Sequence, residues 1–266
     1  MARHPYNAEI KSAVILGAGN LAWHLGHCLL QNGINIRQIF NRSVKRGIHL
    51  AESLKTSFTD QPENVDADAD LYIIAVSDDA IQNISRSVKF NRNAVVVHTA
   101  GSLDMNVLEG SSDRLGVLYP LQTFTKERPV DFKEIPMLIE ASDSVTLSTL
   151  RNLSLTISNT VMQVNSADRL VLHLCAVISS NFSNHLLALS EKILAEKKLP
   201  PELLKPLMSE TIAKAFSMSP LKAQTGPAVR KNEKVMKKHL EMLKRYPEIQ
   251  LIYRIMSESI INISAH

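Results

Sequence analysis

The stretch Gly17-Ala18-Gly19-Asn20-Leu21-Ala22 sets two glycines and a small residue at GxGxxA spacing, directly after the apolar run 12–16 and opening a helical pattern that ends near Gly33. The first glycine permits a tight turn, and the second lets backbone approach a pyrophosphate. The small third residue allows close packing of helix on strand, with the helix N-terminus facing the phosphates. Dinucleotide binding is therefore the first chemistry implied, with Gly17, Gly19, Asn20 and Leu21 as contacts. Some 20 residues further on, where Asp or Glu would take the ribose hydroxyls of NAD, stand Asn41, Arg42 and Ser43. A guanidinium there clamps a 2′-phosphate or stacks on adenine, so NADP(H) is the expected cofactor. Val76 and Ser77 close another apolar run and Asp78 opens the next helical pattern. Ligands of a doubly wound sheet lie beyond the carboxyl ends of its strands, which puts these three and the stretch from His98 to Ser102 near the nicotinamide. Asp78 is equally readable as a helix N-cap.

Hydride transfer also needs groups that hold a substrate and move a proton. His98, at the end of a strand, is a candidate general acid or else a structural donor. On the long helix after 165, His173, Ser180 and Asn184 fall within about 20° of one direction at 3.6 residues per turn, with Asn181 about 80° away. Such a stripe serves either a substrate or helix–helix hydrogen bonds. The TGPAVR turn at 225–230 reads as a helix break that exposes backbone amides and offers Arg230 to a carboxylate or phosphate, or as a turn with a surface arginine. His24 and His27 are spaced HxxH without a third ligand, so no metal is expected. Together these residues imply an oxidoreductase transferring hydride between NADP(H) and a small, anionic substrate. Two alternatives stay open: a non-catalytic NADP-binding redox sensor or regulatory protein and, by the resemblance given below alone, hydride exchange with a deazaflavin such as F420.

Continuous β-branched runs at 12–16, 36–40, 70–76, 94–99, 114–120, 135–140 and 160–164 suit strands buried on both faces, and the spacing of the first few leaves room for crossover helices. A doubly wound Rossmann-type α/β sheet over 1–164 follows, with a late helix between the two final strands. After Asn165, Leu, Ala, Ile and Met recur at helical spacing, so 165–266 is expected to be an all-helical substrate and dimerisation domain. Its first helix should run from Ser166 to about Lys197. The apolar surface of that helix exceeds what the remaining chain can cover, which predicts a homodimer.

Of 266 residues 45% are apolar, and the net charge of +4 is concentrated in 220–245, where an amphipathic helix at 234–245 carries a solvated basic face. No nucleic-acid motif accompanies it. Cys28 and Cys175 sit in apolar stretches and read as buried thiols of a reducing compartment. The N-terminus lacks the pattern of a signal peptide and no apolar run approaches a membrane span, so a cytoplasmic protein without membrane contact is expected.

The ordered motifs GAGNLAWHL, FNRS, VSDDAI, HTAGSL, PLQTF, SSNFSNHLLAL and QTGPAVR cover nearly the whole chain. In them the chain resembles the two-domain NADP oxidoreductases that include pyrroline-5-carboxylate reductase and F420-dependent NADP oxidoreductase. More narrowly, it resembles the group with a Rossmann-like domain followed by DUF2520. The resemblance implies a helical domain like that of 6-phosphogluconate dehydrogenase relatives and dimerisation through it. It also implies that the segment holding Ser179, Ser180 and Asn181 faces the nicotinamide. The expected substrate site is then a cleft between the domains, bordered by His98, Ser180, Asn181 and the TGPAVR turn. Where relatives often have His-Pro before LQTF, this chain has Tyr119-Pro120, so no role of a histidine carries over to that position.

Overall fold

The computed structural model describes residues 9–264. Residues 1–8, which carry half of the N-terminal stretch read above for a signal peptide, lie outside it. The chain forms β1 (Ser12–Leu16), α1 (Asn20–Gln31), β2 (Asn35–Phe40), α2 (Val44–Leu54), β3 (Ser57–Thr59), β4 (Leu71–Ile74), α3 (Asp78–Ser87), β5 (Val95–His98), β6 (Arg114–Pro120), β7 (Met137–Ala141), α4 (Ser144–Ile157) and β8 (Val161–Gln163). The strands make one eight-stranded sheet in the order β3-β2-β1-β4-β5-β6-β7-β8. This is the expected Rossmann-like sheet, with one more strand, the short edge strand β3. All neighbours pair parallel except β6 and β7. The chain between those two forms only a 3-10 turn at Phe132–Glu134, so without a crossover helix it returns antiparallel.

The continuous apolar runs are explained by burial on both faces. In β1, Ala13 and Ile15 enter one core while Val14 and Leu16 enter the other, and in β4 Leu71 and Ile73 alternate likewise with Tyr72 and Ile74. Helix α4 starts where the Asp143 carboxylate caps the Val145 and Thr146 amides, the N-cap its sequence calls for.

The compact unit that carries the sheet runs to Ile178, some residues past the change of sequence texture at 164/165. The reason is α5 (Ser166–Ala176), whose Arg169 is fully buried at 0% exposure. Its guanidinium pairs with Glu140 of β7 and donates to the Leu103 carbonyl, and the Ser166 hydroxyl also donates to Glu140. A buried arginine with these partners ties the first turns of the helix to the sheet.

The second unit starts at Ser179 and is helical: α6 (Phe182–Glu196), α7 (Lys205–Met218), α8 (Pro220–Ala223), α9 (Glu233–Met242) and α10 (Pro247–Ile263). Among its described residues only Ala228, Leu243 and Tyr246 are buried. The long helix is present from Ser166 to Glu196, but a π turn at Val177–Asn181 separates α5 from α6. A π turn takes in an additional residue. The 3.6-residue phase that aligned His173 with Ser180 and Asn184 therefore does not run through it, and that stripe is withdrawn.

One further expectation is corrected: Cys28 is buried, but Cys175 is exposed on α5 beside the exposed Leu174. By length and composition alone the helix Ser166–Glu196 could cross a membrane, with an 18-residue window of mean hydropathy 1.3, but it holds no uninterrupted apolar run of that length.

A cleft at the carboxyl edge of the sheet

Strands β1, β4 and β5 run parallel, so their carboxyl ends reach one edge of the sheet. Beyond that edge lies a cleft of about 740 Å³. Every residue expected to hold the cofactor lines it: Gly17, Gly19, Asn20 and Leu21 after β1, Asn41, Arg42 and Ser43 after β2, and Val76, Ser77 and Asp78 after β4. Arg46, one turn into α2, and Thr99 and Ala100 after β5 join them. Arg46 escaped the sequence reading, although its place in the first turn of the helix that follows Asn41-Arg42-Ser43 is a signal for it.

The two glycines do different work. Gly17 has φ +129, and a Cβ there would stand 2.2 Å from the Ala75 carbonyl oxygen, so the turn requires glycine. A Cβ at Gly19 would meet nothing within 4 Å and would project into open space. Gly19 is the N-cap of α1, with no side chain satisfying the helix amides and no acidic residue in the first turn. The open N–H groups and the helix dipole suit a phosphate. The Asn20 amide donates to the Phe124 carbonyl at 2.9 Å, which holds the PLQTF loop against the start of α1.

Helix α2 likewise has no acidic residue in its first turn and no side-chain cap. It carries Lys45 and Arg46 there instead, where the dipole disfavours cations. Arg42 and Arg46 make no ion pair among the described residues, so this wall of the cleft is an unneutralised cationic edge. The glycine-bounded helix end and this edge fit a dinucleotide carrying an additional phosphate.

At the β5 end of the cleft the Asp78 carboxylate accepts a hydrogen bond from Ser102. Ser77, not Asp78, holds the N-cap position of α3. His98 is fully buried, at 0% exposure, and its Nδ1 accepts the Ala100 amide at 3.1 Å. Burial and then the nearby Arg169 push its pKa down to about 4. A neutral imidazole closed off from the cleft is not a general acid near pH 7, so its candidacy is withdrawn in favour of a structural role.

His173 is half-buried, with Nδ1 3.1 Å from the hydroxyl of Tyr119. A Cβ at Gly101 would lie 2.6 Å from that Nδ1 and 2.8 Å from Tyr119 Cζ, so the pair packs directly on the turn that continues from Ala100. Ser180, Asn181 and Arg230 belong to the second unit and are exposed. In and after the TGPAVR turn the amides of Arg230, Lys231 and Asn232 bond to the carbonyls of Gly226, Ala228 and Pro227. His24 Nε2 bonds the Thr125 carbonyl and His27 Nδ1 the Trp23 carbonyl. No group of three His, Cys, Asp or Glu among the described residues could hold a metal.

Residues 12–101 match the family described as NADP oxidoreductase, coenzyme F420-dependent, and residues 135–260 match the domain of unknown function DUF2520. A Bacteroides fragilis protein described as a candidate NADP oxidoreductase is 40% identical over 96% of this chain and 98% of its own, with a TM-score of 0.89. The chain belongs to this NADP oxidoreductase–DUF2520 family. A pyrroline-5-carboxylate reductase from Coxiella burnetii, 16% identical over 97% of this chain and 98% of its own, shares the fold with a TM-score of 0.56. So does a reductive aminase from Aspergillus terreus in complex with NADPH, 12% identical over 96% and 94%, at 0.71. No curated protein matches the chain.

Proposed function

We propose that the protein is an NADP(H)-dependent oxidoreductase that transfers hydride between a cofactor held in the sheet-edge cleft and a small, anionic molecule. One observation carries the reading: the uncapped start of α1 at Gly19 and the unpaired Arg42 and Arg46 stand on walls of the same cleft. Backbone at Gly17–Leu21 would take the pyrophosphate, Arg42 and Arg46 with Asn41 and Ser43 the 2′-phosphate, and Val76, Ser77, Asp78 and Thr99 the nicotinamide end. When bound, NADPH supplies the hydride. The residues of the chain orient it and keep water from the reacting carbon. The anionic character of the substrate rests on Arg230, exposed and without an ion pair among the described residues.

A second copy of the chain is the proposed partner. Leu170, Leu174, Ile178, Phe182 and Leu186 of the long helix are each exposed. Leu203, Leu207, Ile212 and Phe216, on α7 and the turn before it, are exposed as well. Exposed apolar side chains in this number mark an interface. A second chain suits it better than lipid, because Arg169 already commits the first turns of that helix to the sheet.

Fluorescence titration with NADPH and NADH tests the cofactor reading. NADPH should bind at least about tenfold more tightly, as one charge-assisted contact implies, and Gly19→Val should abolish binding without unfolding the protein. Equal affinities, or unchanged binding by Gly19→Val, would overturn it.

A further inference from the structure

We propose that Tyr119 is the group that delivers a proton to the heteroatom of a C=O or C=N substrate, with His173 orienting and reprotonating its phenol. The proposal rests on the reading of the cleft as an NADPH site. It starts from position. Thr99 and Ala100 line the cleft, Gly101 follows, and the absence of a side chain there lets the Tyr119–His173 pair sit directly against the turn. Asp78 and Thr99 line that end of the cleft, Asp78 holds Ser102, and the Tyr119–His173 pair lies behind Gly101, so the polar groups on and around this turn are Asp78, Thr99, Ser102, Tyr119 and His173. Of these, Ser102 is already committed to Asp78 and the Thr99 hydroxyl donates to the Ile74 carbonyl. His98 is buried and its Nδ1 is occupied by the Ala100 amide. Tyr119 and His173 remain as half-buried groups that can exchange a proton.

The surroundings keep the phenol in its acid form. Burial and then the negative charge of Asp78 on α3 raise the Tyr119 pKa, opposed by Arg169 on α5. The neutral His98 on β5 adds no charge above about pH 4. His173 lies four residues after Arg169, on the same face of α5. The buried Arg169–Glu140 pair therefore fixes the helix turn that brings Nδ1 to the phenol.

The step balances as follows. Hydride from NADPH adds to the electrophilic carbon and the C=O or C=N π electrons move to the heteroatom. The Tyr119 O–H bond breaks as the heteroatom–H bond forms. The phenolate is then reprotonated through His173 Nδ1, the proton coming in the end from water. NADPH is oxidised to NADP⁺, the substrate is reduced, and one solvent proton is consumed. Tyr119 is the catalytic residue, and His173 acts through it.

The test uses the full-length protein labelled with ¹³Cζ-tyrosine. Without cofactor, the Tyr119 resonance should titrate above the ordinary tyrosine range, and His173→Gln and Asp78→Asn should each move its midpoint, the latter downward. A midpoint unmoved by His173→Gln overturns the proposal, whether or not any substrate is in hand. With NADPH and either cyclohexanone or 1-pyrroline as probe, Tyr119→Phe should lower kcat about 100-fold or more, the usual contribution of a general acid, at an NADPH Kd within twofold of the parent. His173→Gln should lower kcat less and shift the pH profile. Undiminished kcat in Tyr119→Phe sinks the proposal. Failure of the parent protein to bind NADPH sinks the cofactor reading instead, with the phenol titration still deciding the coupling of Tyr119 to His173.

Discussion

In the sheet unit, Ala13, Val14, Ile15 and Leu16 of β1 are each 0% exposed, while Phe216 of the helical unit is 91% exposed. The two units are built from similarly apolar sequence, yet one closes two cores around its sheet and the other buries three described residues. A strand exposes its side chains to both faces at once and crossover helices cover them locally. A helix covers only the stripe that another helix touches, and in a single chain these helices leave their stripes bare. The sheet unit thus buries its apolar residues within one chain, whereas the helical unit leaves most of its own exposed, the surface that the proposed second copy would cover.

The comparison breaks most directly at the helical surface. Phe216→Asp with Leu207→Asp should convert the dimer to a monomer at micromolar concentration by light scattering. Each change forfeits on the order of 3–5 kcal/mol, the scale of a lost buried aromatic or leucine. Circular dichroism should show helix lost, while the sheet unit still binds NADPH. A parent protein that is already monomeric would overturn the interface reading.

Within the sheet unit, the two glycines separate folding from binding. Gly17→Ala should destabilise by about 3 kcal/mol, combining a left-handed backbone with a Cβ at 2.2 Å from a carbonyl oxygen. Gly19→Val should leave the urea midpoint nearly unchanged. Equal destabilisation by both changes would show that the turn, rather than an open cradle, is what both glycines serve.

The parts legible in the sequence are those where one local pattern carries its own geometry. GxGxxA, Asn41-Arg42-Ser43 and Val76-Ser77-Asp78 each follow a strand of a parallel sheet, and parallelism alone brings them to one edge. The Tyr119–His173 contact spans 54 residues, so no spacing signals it. The π turn at 177–181 is marked by no glycine or proline, so an ideal helical phase runs on past it and misplaces the polar stripe. His98 misleads for a related reason. The end of a strand is where catalytic groups sit, but a loop that folds back over it makes the same position interior.

That burial gives the sheet unit a pH dependence. The folded state holds His98 neutral with a pKa near 4, against an ordinary value of 6.5. Its contribution is fully present above pH 6.5 and declines as the pH falls toward 4, because the unfolded chain binds the proton first. At about 1.4 kcal/mol per unit, the full loss is about 3.5 kcal/mol. His98→Asn keeps an acceptor for the Ala100 amide and cannot titrate, so its stability should be flatter across this window. An equal slope in both proteins would assign the dependence elsewhere.

The smallest effect sharpens the comparison furthest, because it should touch cofactor choice and nothing else. Arg42, just before the N-cap of α2, and Arg46, in its first turn, are both exposed on the cleft wall of the sheet unit. Each can make a charge-assisted contact with a 2′-phosphate, of about 1–3 kcal/mol, reduced by salt at an exposed site. Arg42→Ala should therefore weaken NADPH about tenfold and leave NADH almost unaffected. Arg46→Ala should do the same to a smaller degree, since α2 holds it further along the wall. Both arginines would address one phosphate, so the double variant should lose less than the sum of the two. Neither change should alter the oligomeric state, because both arginines lie outside the proposed apolar interface. Strict additivity would mean separate partners for the two guanidiniums, and an equal loss of NADH affinity would mean that they hold the adenine or the pyrophosphate instead.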